Sequence, residues 1–186
     1  MNSRKKDKSG RGKGLHRQEE KRRLLNLEEL YERHGESLYR YLVFRLGSAE
    51  DAEDVLQETF CRFARYGLRW KFVRDPQGFV FRVARNEASR FLKRKLGRRA
   101  GEVMIMTGAA GGFAAAFTAP EDLMLVVLLR SADDLPAEQK DVVFLKVFEG
   151  LTFKEIGLVC GTPANTAASR YRYGIEKLRE AAEGRS

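Results

Sequence analysis

The feature that most constrains the fold of this chain is a pair of helix start signals separated by one stop signal near the C-terminus. Thr152 and Glu155 have the spacing of a capping box, in which each side chain satisfies a backbone donor at the start of a helix. Gly161 supplies the left-handed residue with which helices commonly end. Thr162 then offers a second N-cap, and Pro163 fits the first position of a following helix. The sequence therefore predicts a helix-turn-helix.

The second helix of this motif carries polar and basic side chains. A short helix, a tight turn and a second helix are the arrangement that places a recognition helix in the DNA major groove. Asn165, Ser169, Arg170 and Arg172 would face the groove. Two capped helices joined by a glycine turn also occur in proteins that do not bind DNA, so an ordinary helical hairpin remains open on this segment alone.

The motif order around this segment resembles region 4 of bacterial sigma factors of the extracytoplasmic-function (ECF) group. The family carries L-P-x-x-Q, an E-I-A helix and a T-V-x-S-R recognition helix, and the chain has Leu135-Pro136, Gln139, Glu155-Ile156 and Ser169-Arg170 in that order. The resemblance implies binding of the minus-35 promoter element. The residues it assigns to that element are Thr162, Asn165, Thr166, Ser169, Arg170 and Arg172.

Two earlier blocks resemble region 2 of the same family. Residues 52–60 match its A-E-D-x-x-Q-E-x-F signature, and residues 79–86 match its W-L-x-x-I-A-R-N. The resemblance implies an all-α chain with two small helical domains, a region 2-like helical bundle and a region 4-like helix-turn-helix domain. It also implies binding to core RNA polymerase and melting of the minus-10 promoter element.

The first region 2 block lies on a predicted helix from about Ser48 to Arg65 with one apolar and one acidic face. The apolar positions are Ala52, Val55, Leu56, Thr59, Phe60 and Phe63. The opposite stripe comprises Glu53, Asp54, Gln57, Glu58 and Arg62. A solvated helix face would have the same pattern, but the family resemblance implies that this stripe binds core polymerase, where charge complementarity would favour docking.

The second block lies on a predicted helix over residues 79–96 with a basic face. Phe81, Ala84, Ala88 and Phe91 recur at helical spacing and are expected in the core. The face opposite them would neutralise DNA phosphates, and its amide would read a base edge. It comprises Arg82, Arg85, Asn86, Ser89, Arg90 and Lys93. A solvated basic face is the alternative.

The segment 66–74 interleaves aromatic and cationic residues just before that helix. Such side chains stack on unpaired bases, and the resemblance places minus-10 melting here, so Arg69 and Trp70 join the predicted minus-10 contacts. A core-anchor role for Trp70 or Phe72 remains open on the sequence alone.

Charge and composition narrow the class of protein. Residues 1–23 hold ten Lys or Arg and three Asp or Glu, which is +7 of the net +9. This Gly-, Ser- and Lys-rich tail is expected to be disordered, serving solubility or a nucleic-acid contact.

Cys61 and Cys160 are expected to be buried thiols in a reducing cytoplasm, and no metal site, cofactor or membrane span is expected.

The predicted organisation is a tail at 1–23, a region 2-like domain at 24–100, a linker at 101–121 and a region 4-like domain at 122–186. The linker is unusually apolar, with one charge in residues 101–119. It would thread the polymerase channel as the family's linker does, pack between the domains, or serve as a flexible tether. An apolar helix at 122–130 would pack region 4 or bind a partner such as an anti-sigma factor.

The chain departs from the family at three kinds of position. Phe79 replaces the usual Trp, and Gly157 replaces an Ala that faces the turn. Ala167 and Ala168 replace a packing Val and a basic residue of the recognition helix, so upstream-element binding is expected to be weaker.

The sequence thus predicts a sigma factor and not an enzyme, with core polymerase and promoter DNA as partners and no small-molecule substrate. An anti-sigma factor is a further candidate partner. No arrangement of nucleophile, base and orienting group competes with this function, and His16 and His34 suggest no catalysis. Two alternatives remain. One is a helix-turn-helix regulator that binds duplex DNA alone, and the other is a sigma-like protein that binds polymerase without starting transcription.

Overall fold

The computed structural model describes residues 9–66, 75–99 and 135–183. Within these ranges the regular structure is helical throughout, so the all-α prediction is confirmed. The helices are α1 (Ser9–Leu46), α2 (Ala49–Tyr66), α3 (Pro76–Arg99), α4 (Ala137–Val147), α5 (Phe153–Cys160) and α6 (Ala164–Glu183). Helices α1–α3 are here called the N-terminal half and α4–α6 the C-terminal half.

Local capping signals set the first helix boundaries. Gly47 ends α1 with φ 71°, the left-handed region that glycine adopts without steric cost. Ser48 then caps α2, because its Oγ accepts a hydrogen bond from the Asp51 N–H over 3.2 Å. Asp75 does the same for α3, accepting from the Gly78 N–H over 2.9 Å, and Pro76 occupies the first helical position.

The structure has helix in part of the segment that the sequence analysis assigned to a tail. The structure continues α1 from Ser9 through this segment, whereas residues 1–8 lie outside the described ranges. The segment has no proline, and its Arg, Lys, Glu, Gln and Leu residues are good helix formers. Extending an existing helix adds one hydrogen bond per residue fixed, without the cost of a new nucleus, so the tail follows α1 into a helical conformation.

The predicted core faces of α2 and α3 are confirmed. On α2, Thr59 and Phe63 are buried together with Ala52, Val55 and Phe60, while Leu56 is half-buried against the same core. On α3, Phe81, Ala84 and Ala88 are buried and Phe91 is half-buried. The Thr59 hydroxyl is satisfied inside the core because it donates to the Val55 carbonyl over 2.7 Å.

One apolar core runs through both halves of the molecule. The ring of Phe144, on α4, lies 5.4 Å from that of Tyr41, 5.9 Å from that of Phe44 and 6.5 Å from that of Phe81, measured between centroids. Val142, Val143 and Leu145 beside it are also buried. The two halves are therefore packed together through aromatic side chains. The predicted domain division stays a prediction, because its linker, 101–121, lies outside the described ranges.

The helix-turn-helix is present, and its capping box is confirmed. Thr152 Oγ1 accepts from the Glu155 N–H over 3.3 Å, and the Thr152 N–H donates to Glu155 Oε2 over 2.7 Å. The hydrogen bonds from Thr152 hold the pKa of Glu155 below its usual value. Gly161 ends α5 in the left-handed conformation, with φ 66° and ψ 39°, as predicted.

The predicted start of the second helix is shifted by one residue. Helix α6 begins at Ala164, so Pro163, whose carbonyl accepts from the Ala167 N–H over 3.0 Å, precedes the helix instead of opening it. Thr162 belongs to the end of α5, because its N–H donates to the Gly157 carbonyl over 2.9 Å. Thr162, which the sequence analysis assigned as the N-cap of α6, thus contributes its N–H to the turn that closes α5.

Candidate nucleic-acid interface

Helix α3 presents part of the predicted basic face to solvent. The side chains of Arg82, Asn86 and Lys93 are exposed. Arg90 is exposed as well, and its Nη1 donates to Glu87 Oε1 over 2.5 Å. These four residues form a polar, cationic strip without a covering element among the described residues, which suits contact with a polyanion.

The remaining two residues of that predicted face are turned towards the other half of the protein. Arg85 Nε donates to Asp141 Oδ2 over 2.8 Å. Ser89 Oγ accepts from Arg45 Nη2 over 3.0 Å and donates to the Arg85 carbonyl over 2.8 Å. Arg85 and Ser89 therefore do not lie on the exposed strip, because α4 supplies a buried carboxylate that attracts the guanidinium, and their DNA contact stays a prediction.

Asp141 is the centre of a buried polar cluster, here called the Asp141 cluster, formed with Tyr41, Arg45 and Arg85. The Tyr41 hydroxyl donates to Asp141 Oδ1 over 2.7 Å, and Arg45 forms an ion pair with the same oxygen. The side chain of Asp141 is fully buried, and that of Arg45 is 4% exposed. Burial raises the pKa of Tyr41 to about 12, so the phenol is a neutral donor.

A second polar contact joins the halves at Glu149. Gln77 Nε2, at the start of α3, donates to Glu149 Oε2 over 2.9 Å. The Ser37 hydroxyl donates to the other carboxylate oxygen. Contacts of Asp141 and Glu149 with both α1 and α3 fix the orientation of the C-terminal half on the N-terminal half.

The acidic face of α2 is divided between solvent and α3. Glu53, Asp54 and Gln57 are exposed, as the polymerase-binding prediction requires. Glu58 is exposed as well but accepts from Arg94 over 2.9 Å, and the half-buried Arg62 forms an ion pair with Glu87 on α3. Part of this charged face therefore contributes to the packing of α2 on α3. Residue spacing along one helix does not show whether a charged face binds a neighbouring helix or another protein.

The recognition helix exposes some of its predicted contacts and half-buries others. Asn165 and Arg172 are exposed, and the Arg172 guanidinium lies 5.4 Å from the Tyr173 ring centroid. Thr162, Thr166, Ser169 and Arg170 are half-buried. Ala167, which replaces the family's packing Val, is fully buried, so this position still packs against the core.

Several predicted features fall outside the described residues. These are the minus-10 contacts Arg69 and Trp70 with their neighbour Phe72, the apolar linker at 101–119 and the apolar helix at 122–130.

Three residues of the Asp141 cluster were missed by sequence reasoning. Tyr41, Arg45 and Asp141 belong to no family motif quoted above, and Arg45 lies 96 positions from Asp141. The available signal was a charge at the edge of an apolar run, since Arg45 follows the run 41–44 and Asp141 precedes the run 142–145. Charged residues at such positions are buried only when they are paired.

The cysteine prediction needs one correction. Cys160 is a buried free thiol, but Cys61 is exposed, because it lies between the polar positions of α2 and away from the core stripe. Burial raises the pKa of Cys160, an effect that the nearby Arg85 guanidinium partly opposes. Among the described residues no group of His, Cys, Asp or Glu is arranged to hold a metal ion, and no helix there has the length and apolarity to cross a membrane.

Family comparison identifies the two halves. Residues 30–98 match the model of Sigma-70 region 2, and residues 125–178 match that of Sigma-70 region 4. The chain belongs to the sigma-70 family. The N-terminal half is accordingly region 2 and the C-terminal half region 4, and the two matches together span more than half of the 186 residues.

Relatives place this sigma-70 family member in the ECF group. It is 32% identical over 161 residues to the ECF RNA polymerase sigma factor SigE of Mycolicibacterium smegmatis, covering 82% of this chain and 60% of SigE. It is 29% identical to the ECF sigma factor BldN of Streptomyces coelicolor, covering 71% of this chain and 51% of BldN. The ferric citrate uptake sigma factor FecI of Escherichia coli is 27% identical, with 82% of this chain and 88% of FecI covered. The chain thus spans less than two thirds of the first two relatives.

Solved structures share the fold. The sigma factor RpoE of Bartonella quintana, solved in complex with the anti-sigma factor NepR, superposes with a TM-score of 0.71 at 18% identity, covering 85% of this chain and 97% of RpoE. CnrH, solved in complex with the cytosolic domain of CnrY, gives a TM-score of 0.64 at 18% identity, covering 92% and 97%.

Proposed function

We propose that this chain is a sigma subunit that binds core RNA polymerase, recognises promoter DNA, melts the minus-10 element and directs the start of transcription. The observation that carries the proposal is the presence of Sigma-70 regions 2 and 4 in one chain, in the family's order. Neither region alone would support it, because a helix-turn-helix also occurs in regulators that bind duplex DNA without polymerase.

The basic face of α3 supports contact with minus-10 DNA. Arg82, Asn86 and Lys93 are exposed, while Arg90 keeps an exposed guanidinium beside Glu87. Arginine and lysine would neutralise phosphates, and an asparagine amide would bond a base edge. Arg85 and Ser89 would join this surface after region 4 has moved away, and Arg69 and Trp70 complete the proposed minus-10 set.

Two further surfaces support the remaining partners. Glu53, Asp54 and Gln57 form the exposed part of the proposed polymerase-binding face, and Glu58 and Arg62 border it while paired with α3. On α6 the exposed Asn165 and Arg172 would lead the contact with the minus-35 element. Thr162, Thr166, Ser169 and Arg170 would support them from half-buried positions.

Regulation and location follow from the same proposal. The two structural neighbours were solved with an anti-sigma factor and with a cytosolic partner domain, respectively, and we extend the expectation of an anti-sigma partner to this chain. A protein that assembles with RNA polymerase works in the cytoplasm. The proposed activity is binding and duplex opening, without a catalytic step of its own.

The decisive test is run-off transcription with purified core polymerase, the full chain and promoters from its own genome. We expect a transcript that requires both the protein and core polymerase. A variant with Arg82, Asn86 and Lys93 all changed to Ala is expected to bind core polymerase normally and to lose open-complex formation, measured by permanganate reactivity of unpaired thymines. Duplex binding by the protein alone, with no protein-dependent transcript, would instead support the helix-turn-helix regulator. Core polymerase binding without transcription would support the sigma-like protein that does not start transcription.

A further inference from the structure

The Asp141 cluster has the donor geometry of an anion-binding site. Its carboxylate receives the Tyr41 hydroxyl and Arg45 on Oδ1, and Arg85 Nε on Oδ2 at 2.8 Å. All three donors come from region 2, whereas the carboxylate that accepts from all of them comes from region 4. Region 2 therefore supplies a complete set of donors, and region 4 supplies the anion.

The donors exceed what this one carboxylate uses. Two guanidinium groups face a single carboxylate, so the four-residue cluster carries an excess positive charge. Arg45 Nε is buried and has no hydrogen-bond partner among the residues that the structure describes. Guanidinium groups bind carboxylates and phosphates through the same fork of N–H donors, and a phosphate offers more acceptor oxygens.

The position of the donors relates them to the proposed DNA surface. Arg85 lies on α3 one helical turn from the exposed Arg82, and Ser89 bridges it to Arg45 through hydrogen bonds of 2.8 and 3.0 Å. A nucleic-acid backbone running along the exposed strip of α3 would meet these donors once α4 had left them.

We propose that Tyr41, Arg45 and Arg85 form a binding site for a DNA backbone phosphate, and that Asp141 occupies this site as an intramolecular competitor when regions 2 and 4 are packed together. This inference rests on the proposed function for the identity of the anion. It adds Tyr41 and Arg45 to the DNA-binding residues and assigns Asp141 a regulatory role.

Occupation by Asp141 and by phosphate is mutually exclusive. The side chains of Asp141 and Tyr41 are fully buried and that of Arg45 is 4% exposed, so only Arg85, at 19%, reaches solvent while α4 is docked. Phe144, one helical turn from Asp141, is held in the aromatic core of region 2 and must leave with it. DNA binding at this site therefore requires separation of the halves, and a phosphate that binds only the separated form shifts the equilibrium towards it.

The test uses the full chain and a short fluorescent single-stranded DNA oligonucleotide, with affinity measured by anisotropy. Asp141→Asn is expected to bind roughly tenfold more tightly than the wild type, a typical size for coupling between two sites. Glu138→Gln is the matched control, because it removes one negative charge from an exposed position of the same helix. It is expected to change the affinity little. An oligonucleotide with an uncharged methylphosphonate backbone is expected to show no gain with Asp141→Asn.

Two further variants separate the site from general opening. Adding Arg45→Gln to Asp141→Asn should abolish the gain. Glu149→Gln weakens the contacts with Ser37 and Gln77 without altering the anion site, so it should also increase affinity. Circular dichroism shows whether each variant is folded. If Asp141→Asn does not fold, Glu149→Gln with and without Arg45→Gln decides the question.

Equal affinities of Asp141→Asn and Glu138→Gln would overturn the inference, as would a gain that survives Arg45→Gln or appears with the uncharged backbone. The oligonucleotide assay contains no polymerase, so these outcomes are distinct from failure of the proposed function, which the run-off assay reports. Normal run-off transcription combined with equal affinities would reject the Asp141 mechanism and leave the sigma function intact.

Discussion

Arg85 donates from Nε to Asp141 Oδ2 over 2.8 Å, so a side chain from α3, the helix proposed to face DNA, is paired with a carboxylate of region 4. This basic residue of the family's region 2 signature is paired and only 19% exposed in the packed form. The contact gives separation of the two halves an energetic cost.

Removing the central carboxylate should destabilise the packed form. Asp141→Ala leaves Arg45 and Arg85 without their common partner, and breaking a buried ion pair from one side costs about 3–5 kcal/mol. We expect urea denaturation to show a loss near the lower end of that range, because separation lets water reach the arginines. Glu176→Ala, at an exposed position on α6, should change the free energy of unfolding by less than about 0.5 kcal/mol. Similar losses in the two variants would contradict a stabilising role for the cluster.

The buried phenol predicts a pH dependence at high pH. Burial raises the pKa of Tyr41 from 10.0 to about 12, so the folded protein holds this proton more tightly than the unfolded chain. The resulting stabilisation is complete below pH 10 and is lost as the pH rises from 10 towards 12. At about 1.4 kcal/mol per pKa unit, the free energy of unfolding should fall by roughly 2–3 kcal/mol from this residue.

The matched variant is Tyr41→Phe, which lacks the titrating proton while the lysines titrate as before. The free energy of unfolding of Tyr41→Phe should lack the part of the decline that comes from Tyr41. The difference in free energy of unfolding between wild type and Tyr41→Phe should therefore narrow as the pH rises above 10. A constant difference over that window would show that the Tyr41 proton is not linked to folding.

The turn of the helix-turn-helix requires glycine at position 157. A Cβ there would lie 2.6 Å from the Thr162 carbonyl oxygen, which is fixed backbone. Gly157→Ala should therefore destabilise region 4 by about 1–3 kcal/mol, although alanine is the better helix former. Gly97→Ala is the control, since a Cβ there meets nothing within 4 Å. Thermal melts should place the two substitutions on opposite sides of the wild type, and a stabilised Gly157→Ala would contradict the close approach.

The two free thiols should differ strongly in reactivity. Cys61 is exposed, whereas Cys160 is 8% exposed and burial raises the pKa of its thiol. Because the thiolate is the reactive form, iodoacetamide at pH 8 should modify Cys61 at least about tenfold faster. Mass spectrometry of timed samples gives both rates in one experiment. The rates should converge in denaturant, and equal rates in the native protein would show that region 4 leaves region 2 readily.

Arg170 should contribute to recognition of the upstream element. Replacing it with Ala is expected to weaken that contact by about 1–3 kcal/mol if the side chain bonds a base. The readout is competition between promoters that differ only in the minus-35 element. Lys177→Ala, exposed further along α6, serves as the control for general loss of positive charge. Unchanged promoter choice would remove Arg170 from the recognition set.

Local features of this fold were predictable from sequence, because capping and periodicity act over a few residues. Thr152 and Glu155 predicted the start of α5. The spacing of Ala52, Val55 and Phe63 predicted the buried face of α2. Such signals report which face of a helix is buried but not which neighbour covers it.

The contacts between helices were not predictable in the same way. The pairs Glu58–Arg94 and Arg45–Asp141 join residues 36 and 96 positions apart, and neither spacing nor composition encodes that pairing. The acidic stripe of α2 and the basic face of α3 suggested separate external partners, whereas Glu58 and Arg62 of that stripe pair with Arg94 and Glu87 on α3. The basic helix that carries Arg85 was predictable from spacing, whereas the pairing of Arg85 with Asp141 was not, for the same reason.

Phe144 has a practical consequence for experiments on fragments of this protein. Its ring is 1% exposed and is covered by Tyr41, Phe44 and Phe81 of region 2. A fragment that begins after region 2 would present this ring to water, and an aromatic side chain of that size favours self-association. We expect such a fragment to need Phe144→Ser, or coexpression with region 2, to remain monomeric at the concentrations used for spectroscopy. The aromatic contact between the two halves thus determines whether an unmodified region 4 fragment stays monomeric in solution.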